Sequence, residues 1–168
     1  LLAGEDADLF VSNTSKSLAS VSSQTMLTDG IAEAYRAGQK RIAAASGVRE
    51  VLTTSCDARN ATPYLYATTA KDWLLNESLA EEVFGPLGVV VLADSLEEMQ
   101  QVAQHLQGQL TCTLHLDESD TNDAKSFIPI LERKAGRILA NAFPTGVEVC
   151  DSMVHGGPYP ASTNFGAT

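Results

Sequence analysis

The sequence predicts an α/β fold, a three-layer sandwich built on a largely parallel sheet. From residue 86 onward, short apolar runs alternate with amphipathic stretches of helical period in the order β-α-β-α-β. Start and stop residues bound those stretches and set helix lengths of 12–15 residues between the strands. Strands joined by helices of that length need right-handed crossovers, and such crossovers make parallel neighbours.

Residues 1–26 are rich in serine and weakly patterned, and read as a loop. Thr28 and Asp29 can cap a helix over about 31–45, where Ile31, Ala34, Tyr35, Gly38, Ile42 and Ala45 recur at helical spacing. Lys40 and Arg41 near its end suit the helix dipole, and Gly47 stops it. Strands are predicted at about 49–55 and 64–69, parted by the turn-prone segment 57–63. Residues 87–93 form a strand apolar enough to be buried on both faces. Ser95, with Glu98 three residues on, makes a capping box for a helix over about 95–107, which Gly108 ends. Residues 110–116 alternate with period two, a strand with one face inward. Asp120 can cap a helix over about 121–135, in which Pro129 predicts a kink or a late restart. Residues 137–141 are the last clear strand.

At 168 residues the chain reads as one domain, large enough for a real core. Its 11 basic against 21 acidic residues give a net charge of −10, which argues against nucleic acid as a partner. No apolar run is long enough to span a membrane, and the N-terminus lacks the basic region of a signal peptide. A chain opening on Leu1 and closing at Thr168 reads as cut from something longer. Cys56, Cys112 and Cys150 have neither disulfide nor zinc spacing, and point to a reducing cytoplasm.

The sequence carries no dinucleotide fingerprint, no P-loop and no nucleophile elbow. His105 and His115 have no second ligand at i+2 or i+4, so no metal site is expected. None of the three cysteines has a visible base or electropositive setting, and all three read as structural thiols. The richest stretch is Glu82-Val-Phe-Gly-Pro86, where an acid and an aromatic flank a turn that launches an apolar strand. A lone glutamate before a turn is most simply a solvated side chain. At an element edge it can also accept paired hydrogen bonds from a ligand diol.

This pentapeptide resembles the E-[IV]-F-G-P signature of the aldehyde dehydrogenase superfamily. Gly136-Arg-Ile-Leu-Ala-Asn141-Ala-Phe-Pro-Thr-Gly-Val-Glu-Val149 and His155-Gly-Gly-Pro-Tyr-Pro-Ala-Ser162 are similar to the branch that oxidises α-ketoglutaric semialdehyde (2,5-dioxovalerate). The resemblance is strong over 81–160 and loose before it. It implies the superfamily's catalytic-domain fold for residues 1–168. It also implies a reaction in which a cysteine attacks the aldehyde, NAD or NADP takes a hydride, and a glutamate base hydrolyses the thioester. In the superfamily both catalytic residues precede the region matched, so neither is expected in this chain, and the chain alone is expected to be inactive. The resemblance makes Glu82 the acceptor of the nicotinamide ribose hydroxyls and Phe84 the aromatic beside that ribose and ring. Asn141 becomes a supporting residue behind the catalytic loop. Phe143, Pro144 and Val147 would line the aldehyde pocket, although loop 142–149 also reads as plain surface. Pro158 interrupts the superfamily's Gly-Gly-Tyr turn at Gly156, Gly157 and Tyr159, which leaves Tyr159 without an assigned role.

The chain departs from the superfamily by lacking the dinucleotide-binding domain, the catalytic Cys and Glu, and the C-terminal oligomerisation arm. The implied partner is a small aldehyde, and the implied parent is a cytoplasmic homo-oligomer. An aliphatic or fatty aldehyde is the alternative substrate. A stand-alone α/β ligand-binding module is the alternative from another class.

Overall fold

The computed structural model describes residues 2–3, 6–57 and 59–144. They fall in two compact units, 1–99 and 100–168.

The first unit is built on a four-stranded sheet. Its strands are β1 (Leu2–Ala3), β3 (Val48–Leu52), β5 (Tyr64–Thr69) and β6 (Leu87–Ala93), in the order β1-β6-β5-β3. β5 and β6 run parallel, with Tyr64 opposite Leu87 and Thr69 opposite Leu92, and β1 is parallel to β6. β3 is antiparallel to β5, with an irregularity between Glu50 and Leu52. A separate antiparallel pair joins β2 (Gln24–Thr25) to β4 (Asn60–Ala61).

The two-residue period of β5 decides what lies on each face. Leu65 and Ala67 point to one side and pack with Val90 of β6 against Val11 of helix α1 (Ala7–Ala19). Tyr64 and Tyr66 point to the other side, toward helix α2 (Asp29–Ala43). There Gln39 Nε2 donates to the Tyr66 hydroxyl at 2.6 Å, and the rings of Tyr35 and Tyr64 meet edge-on at 6.0 Å. Helix, sheet and helix thus form three layers within this unit. The crossover from β5 to β6 carries helix α3 (Ala70–Leu74) and a 3-10 turn at Glu77–Ala80. Thr69 caps α3 through its hydroxyl, and Trp73 is buried beneath it.

α1 corrects the expectation of a loop over residues 1–26. Its inward stripe is narrow, since only Val11 is buried, Leu18 is half-buried, and Ser15 reaches the Val51 carbonyl at 3.4 Å. Leu9 and Phe10 stay exposed and blur the apolar period, so the serines hide a helix rather than mark a loop. α2 begins two residues earlier than expected, with Thr28 as its N-cap accepting from the Ile31 amide at 3.2 Å.

In the second unit, β7 (Gln109–Leu114) and β8 (Ala135–Ala140) pair in parallel, from Gln109 opposite Ala135 to Leu114 opposite Ala140. β6 and β7 belong to different sheets, so the predicted β-α-β-α-β run does not form one continuous sheet. Helix α4 (Leu96–His105) precedes β7. Ser95 Oγ accepts from the Glu98 amide at 3.2 Å, while the Glu98 carboxylate reaches back to the Asp94 amide rather than to that of Ser95. Helix α5 (Thr121–Leu131) buries Phe127, Ile130 and Leu131. Pro129 falls in its last turn, where it withholds the amide donor that would bond the carbonyl four residues back. The helix therefore ends at Leu131 instead of running to 135. Among the described residues no helix is long and apolar enough to cross a membrane.

Candidate functional site

The turn at 82–86 is held by α2, and the register between them decides which side chains are free. Tyr35, Gly38 and Arg41 stand three residues apart and so share one helix face. Every second residue of the extended segment 81–85 meets that face, in the opposite chain direction. The Arg41 Nη1 lies 2.6 Å from a Glu81 carboxylate oxygen, and its Nη2 donates to the Glu81 carbonyl at 3.4 Å. Val83 fills the notch left by Gly38, where a β-carbon would stand 2.7 Å from a Val83 methyl. Gly85 lies on the Tyr35 ring. The residues between, Glu82 and Phe84, are therefore turned to solvent, Phe84 with 68 % of its surface exposed.

The end of the turn is tied into the sheet. Gly85 has φ +140, a left-handed conformation open mainly to glycine. The Leu87 amide donates to the Gly85 carbonyl at 2.8 Å, and the Tyr64 amide to that of Pro86 at 2.9 Å. The Tyr35 hydroxyl stands 2.8 Å from the Thr62 carbonyl oxygen and 3.2 Å from that of Pro86, so its single proton serves both strand entrances. Burial pushes the Tyr35 hydroxyl well above the usual tyrosine range, which keeps it a neutral donor.

Glu82 has no hydrogen-bond or ion-pair partner among the described residues, whereas neighbouring Glu81 is spoken for by Arg41. A carboxylate free on both oxygens, on a backbone fixed from behind, suits a vicinal diol. An exposed aromatic two residues on suits the flat face of a ring.

Asn141, Phe143 and Pro144 belong to the second unit. Asn141 follows β8 with φ 49, a left-handed conformation that asparagine tolerates better than most residues. Its side-chain amide acts as a further rung of the ladder. Oδ1 accepts from the Leu116 amide at 2.8 Å, and Nδ2 donates to the Leu116 carbonyl at 2.9 Å. Its own amide donates to the Leu114 carbonyl at 2.9 Å. Phe143 is 84 % exposed, with its ring centroid 5.6 Å from that of His115, and Pro144 is exposed beside it. His115, Asp117, Asp120 and Asn141 line an open depression. His115 lies past the end of β7, not on the strand where the sequence places it. Val147, Cys150, Gly156, Gly157, Pro158 and Tyr159 lie outside the described residues.

The two described thiols, Cys56 and Cys112, give no sign of a nucleophile. Cys56 donates to the Asn60 carbonyl at 2.8 Å, and burial raises the Cys112 thiol above its ordinary range. Among the described residues no three His, Cys, Asp or Glu side chains gather as metal ligands. The sequence reading missed Arg41 and Tyr35 as supports of the turn. A glycine on the inward face of an otherwise regular helix was the available signal, since Gly38 marks a close approach.

No family model matches the chain. It is 45 % identical, over 98 % of its length, to α-ketoglutaric semialdehyde dehydrogenase 2 of Azospirillum brasilense, covering 32 % of that protein. It is 38 % identical, over 86 % of its length, to α-ketoglutaric semialdehyde dehydrogenase of Acinetobacter baylyi, covering 28 % of it. The fold is similar to that of succinic semialdehyde dehydrogenase from Streptococcus pyogenes in complex with NADP+. The TM-score there is 0.67 at 22 % identity, over 92 % of this chain and 34 % of that one. The chain spans about a third of the length of the curated relatives it matches. It has the α/β fold of this superfamily's catalytic domain and corresponds to part of an aldehyde dehydrogenase-superfamily protein.

Proposed function

We propose that the chain is part of an NAD(P)-dependent aldehyde dehydrogenase that oxidises a small oxo-acid semialdehyde, α-ketoglutaric semialdehyde, to 2-oxoglutarate. The observation that carries this reading is the docked turn at 81–86, which frees Glu82 and Phe84 while fixing Glu81, Val83 and Gly85. It stands in a chain 45 % identical to a dehydrogenase named for that substrate.

In this reading Glu82 accepts both ribose hydroxyls, and Phe84 limits where the nicotinamide ring can swing. When bound, the dinucleotide supplies the hydride acceptor. Asn141 fixes the backbone at 114–116, and Phe143, Pro144 and Val147 give the aldehyde an apolar rim. The nucleophilic cysteine and the general base come from outside residues 1–168, in keeping with the settings of Cys56 and Cys112. Positioning the cofactor through Glu82 and Phe84, and separately giving the aldehyde a rim, is what the chain contributes to the rate. The chain alone is accordingly inactive. The full protein works as a homo-oligomer in the cytoplasm.

The test is an assay of the full-length protein with α-ketoglutaric semialdehyde, succinic semialdehyde and a medium-chain aliphatic aldehyde, each with NAD and with NADP. The highest kcat/KM is expected with α-ketoglutaric semialdehyde. A preference for the aliphatic aldehyde would refute the substrate, and no reduced cofactor from any aldehyde would refute the enzyme.

A further inference from the structure

We infer that Arg41 is a positioning residue for cofactor binding, acting through Glu81 on Glu82; this rests on the ribose-binding reading of Glu82 given above. Glu81 and Glu82 are adjacent carboxylates that the sequence does not tell apart, and Arg41 does. Its guanidinium grips Glu81 at two points, the carboxylate at 2.6 Å and the backbone carbonyl at 3.4 Å. One carboxylate is thereby neutralised, and the peptide leading into Glu82 is fixed.

The side chains of Arg41 and Glu81 are 37 % and 61 % exposed, and a pair so wet contributes little to folding. Geometry also counts against a purely stabilising role, because Arg41 Nε is buried without a hydrogen-bond partner among the described residues. A desolvated donor left idle is a cost, one that Arg41 bears while its two terminal nitrogens hold Glu81. Gly38 and Tyr35 fix the same segment by packing alone, at Val83 and Gly85. Arg41 is the polar point of the three, and the residue that it holds directly precedes Glu82. With the grip lost, Glu81 becomes a second free carboxylate, and the orientation of Glu82 loosens toward the ligand side.

The experiment compares Arg41→Gln, Glu81→Gln, their double variant and Glu82→Gln in the full-length protein. It follows the cofactor KM, kcat and melting temperature of each. Arg41→Gln and Glu81→Gln should each raise the cofactor KM about two- to fivefold, the range of an exposed ion pair, with melting unchanged. The double variant should be no worse than either single one. Unchanged cofactor KM in both single variants, alongside an impaired Glu82→Gln, overturns the inference and leaves the ribose reading standing. Normal kinetics in Glu82→Gln as well overturns that reading itself. Effects that add, or activity loss that follows a fallen melting temperature, make Arg41 merely structural and also overturn it. Glu81→Gln, at an exposed position, decides the matter if Arg41→Gln does not fold.

Discussion

Gly85 rests on the face of Tyr35 so closely that a β-carbon at 85 would overlap the ring, and the Tyr35 hydroxyl reaches past it to the Pro86 carbonyl. Tyr35 thus sets both the height and the direction of the turn that carries Glu82 and Phe84. The aromatic ring works as a floor, and its hydroxyl works as a tie to the entrances of β5 and β6.

Gly85→Ala should destabilise the protein by about 2–4 kcal/mol, the sum of a disfavoured backbone conformation and an overpacked contact. Urea unfolding of the intact protein measures it. A midpoint unchanged from the wild type would mean that the turn is not held against Tyr35.

Asn141 contributes through two separable properties, its left-handed backbone and its amide rung to Leu116. Asn141→Gly keeps the first and loses the second, and should cost about 1–2 kcal/mol for two exposed hydrogen bonds. Asn141→Ala loses both, and should cost about 1 kcal/mol more. Equal stability of the two variants would show that the backbone conformation carries no strain.

Alkaline stability follows from the buried tyrosines. Burial raises both Tyr35 and Tyr66 above their ordinary values, although the Gln39 hydrogen bond opposes this at Tyr66. Above pH about 10 the unfolded chain releases these protons while the folded chain keeps them. The unfolded state then binds fewer protons, so stability, full below that pH, falls as pH rises by up to about 1.4 kcal/mol per unit for each group. Tyr35→Phe should flatten this decline between pH 10 and 11 while lowering stability at neutral pH by about 1–2 kcal/mol. Urea titrations at pH 7, 10 and 11 check both parts, and an undiminished alkaline slope in the variant would contradict the assignment.

Much of this architecture is legible in the sequence where local signals agree. The 87–93 strand, the Ser95 and Glu98 capping pair and the alternating 110–116 run all lie where pattern places them, within a few residues. α1 was hidden because a helix that buries little more than Val11 and Leu18 leaves almost no period to read. The split into two sheets was illegible for a different reason. A parallel crossover fixes the direction of the next strand but not the neighbour it pairs with. Within the candidate site, Glu82 and Phe84 stand out by motif. The reason that they are the free pair lies in contacts 40 or more residues away, Arg41 with Glu81 and Tyr35 with Gly85.

The central claim is that Glu82 holds the cofactor and not the fold. Glu82→Gln in the full-length protein tests it most directly, by the rate of hydride transfer in a single turnover alongside the melting temperature. An exposed carboxylate without a protein partner among the described residues should leave melting nearly unchanged. One weakened charged acceptor should slow hydride transfer or loosen the cofactor by up to about 1.5–3 kcal/mol, roughly tenfold to a hundredfold. A collapsed melting temperature with normal turnover in the surviving enzyme would contradict the account.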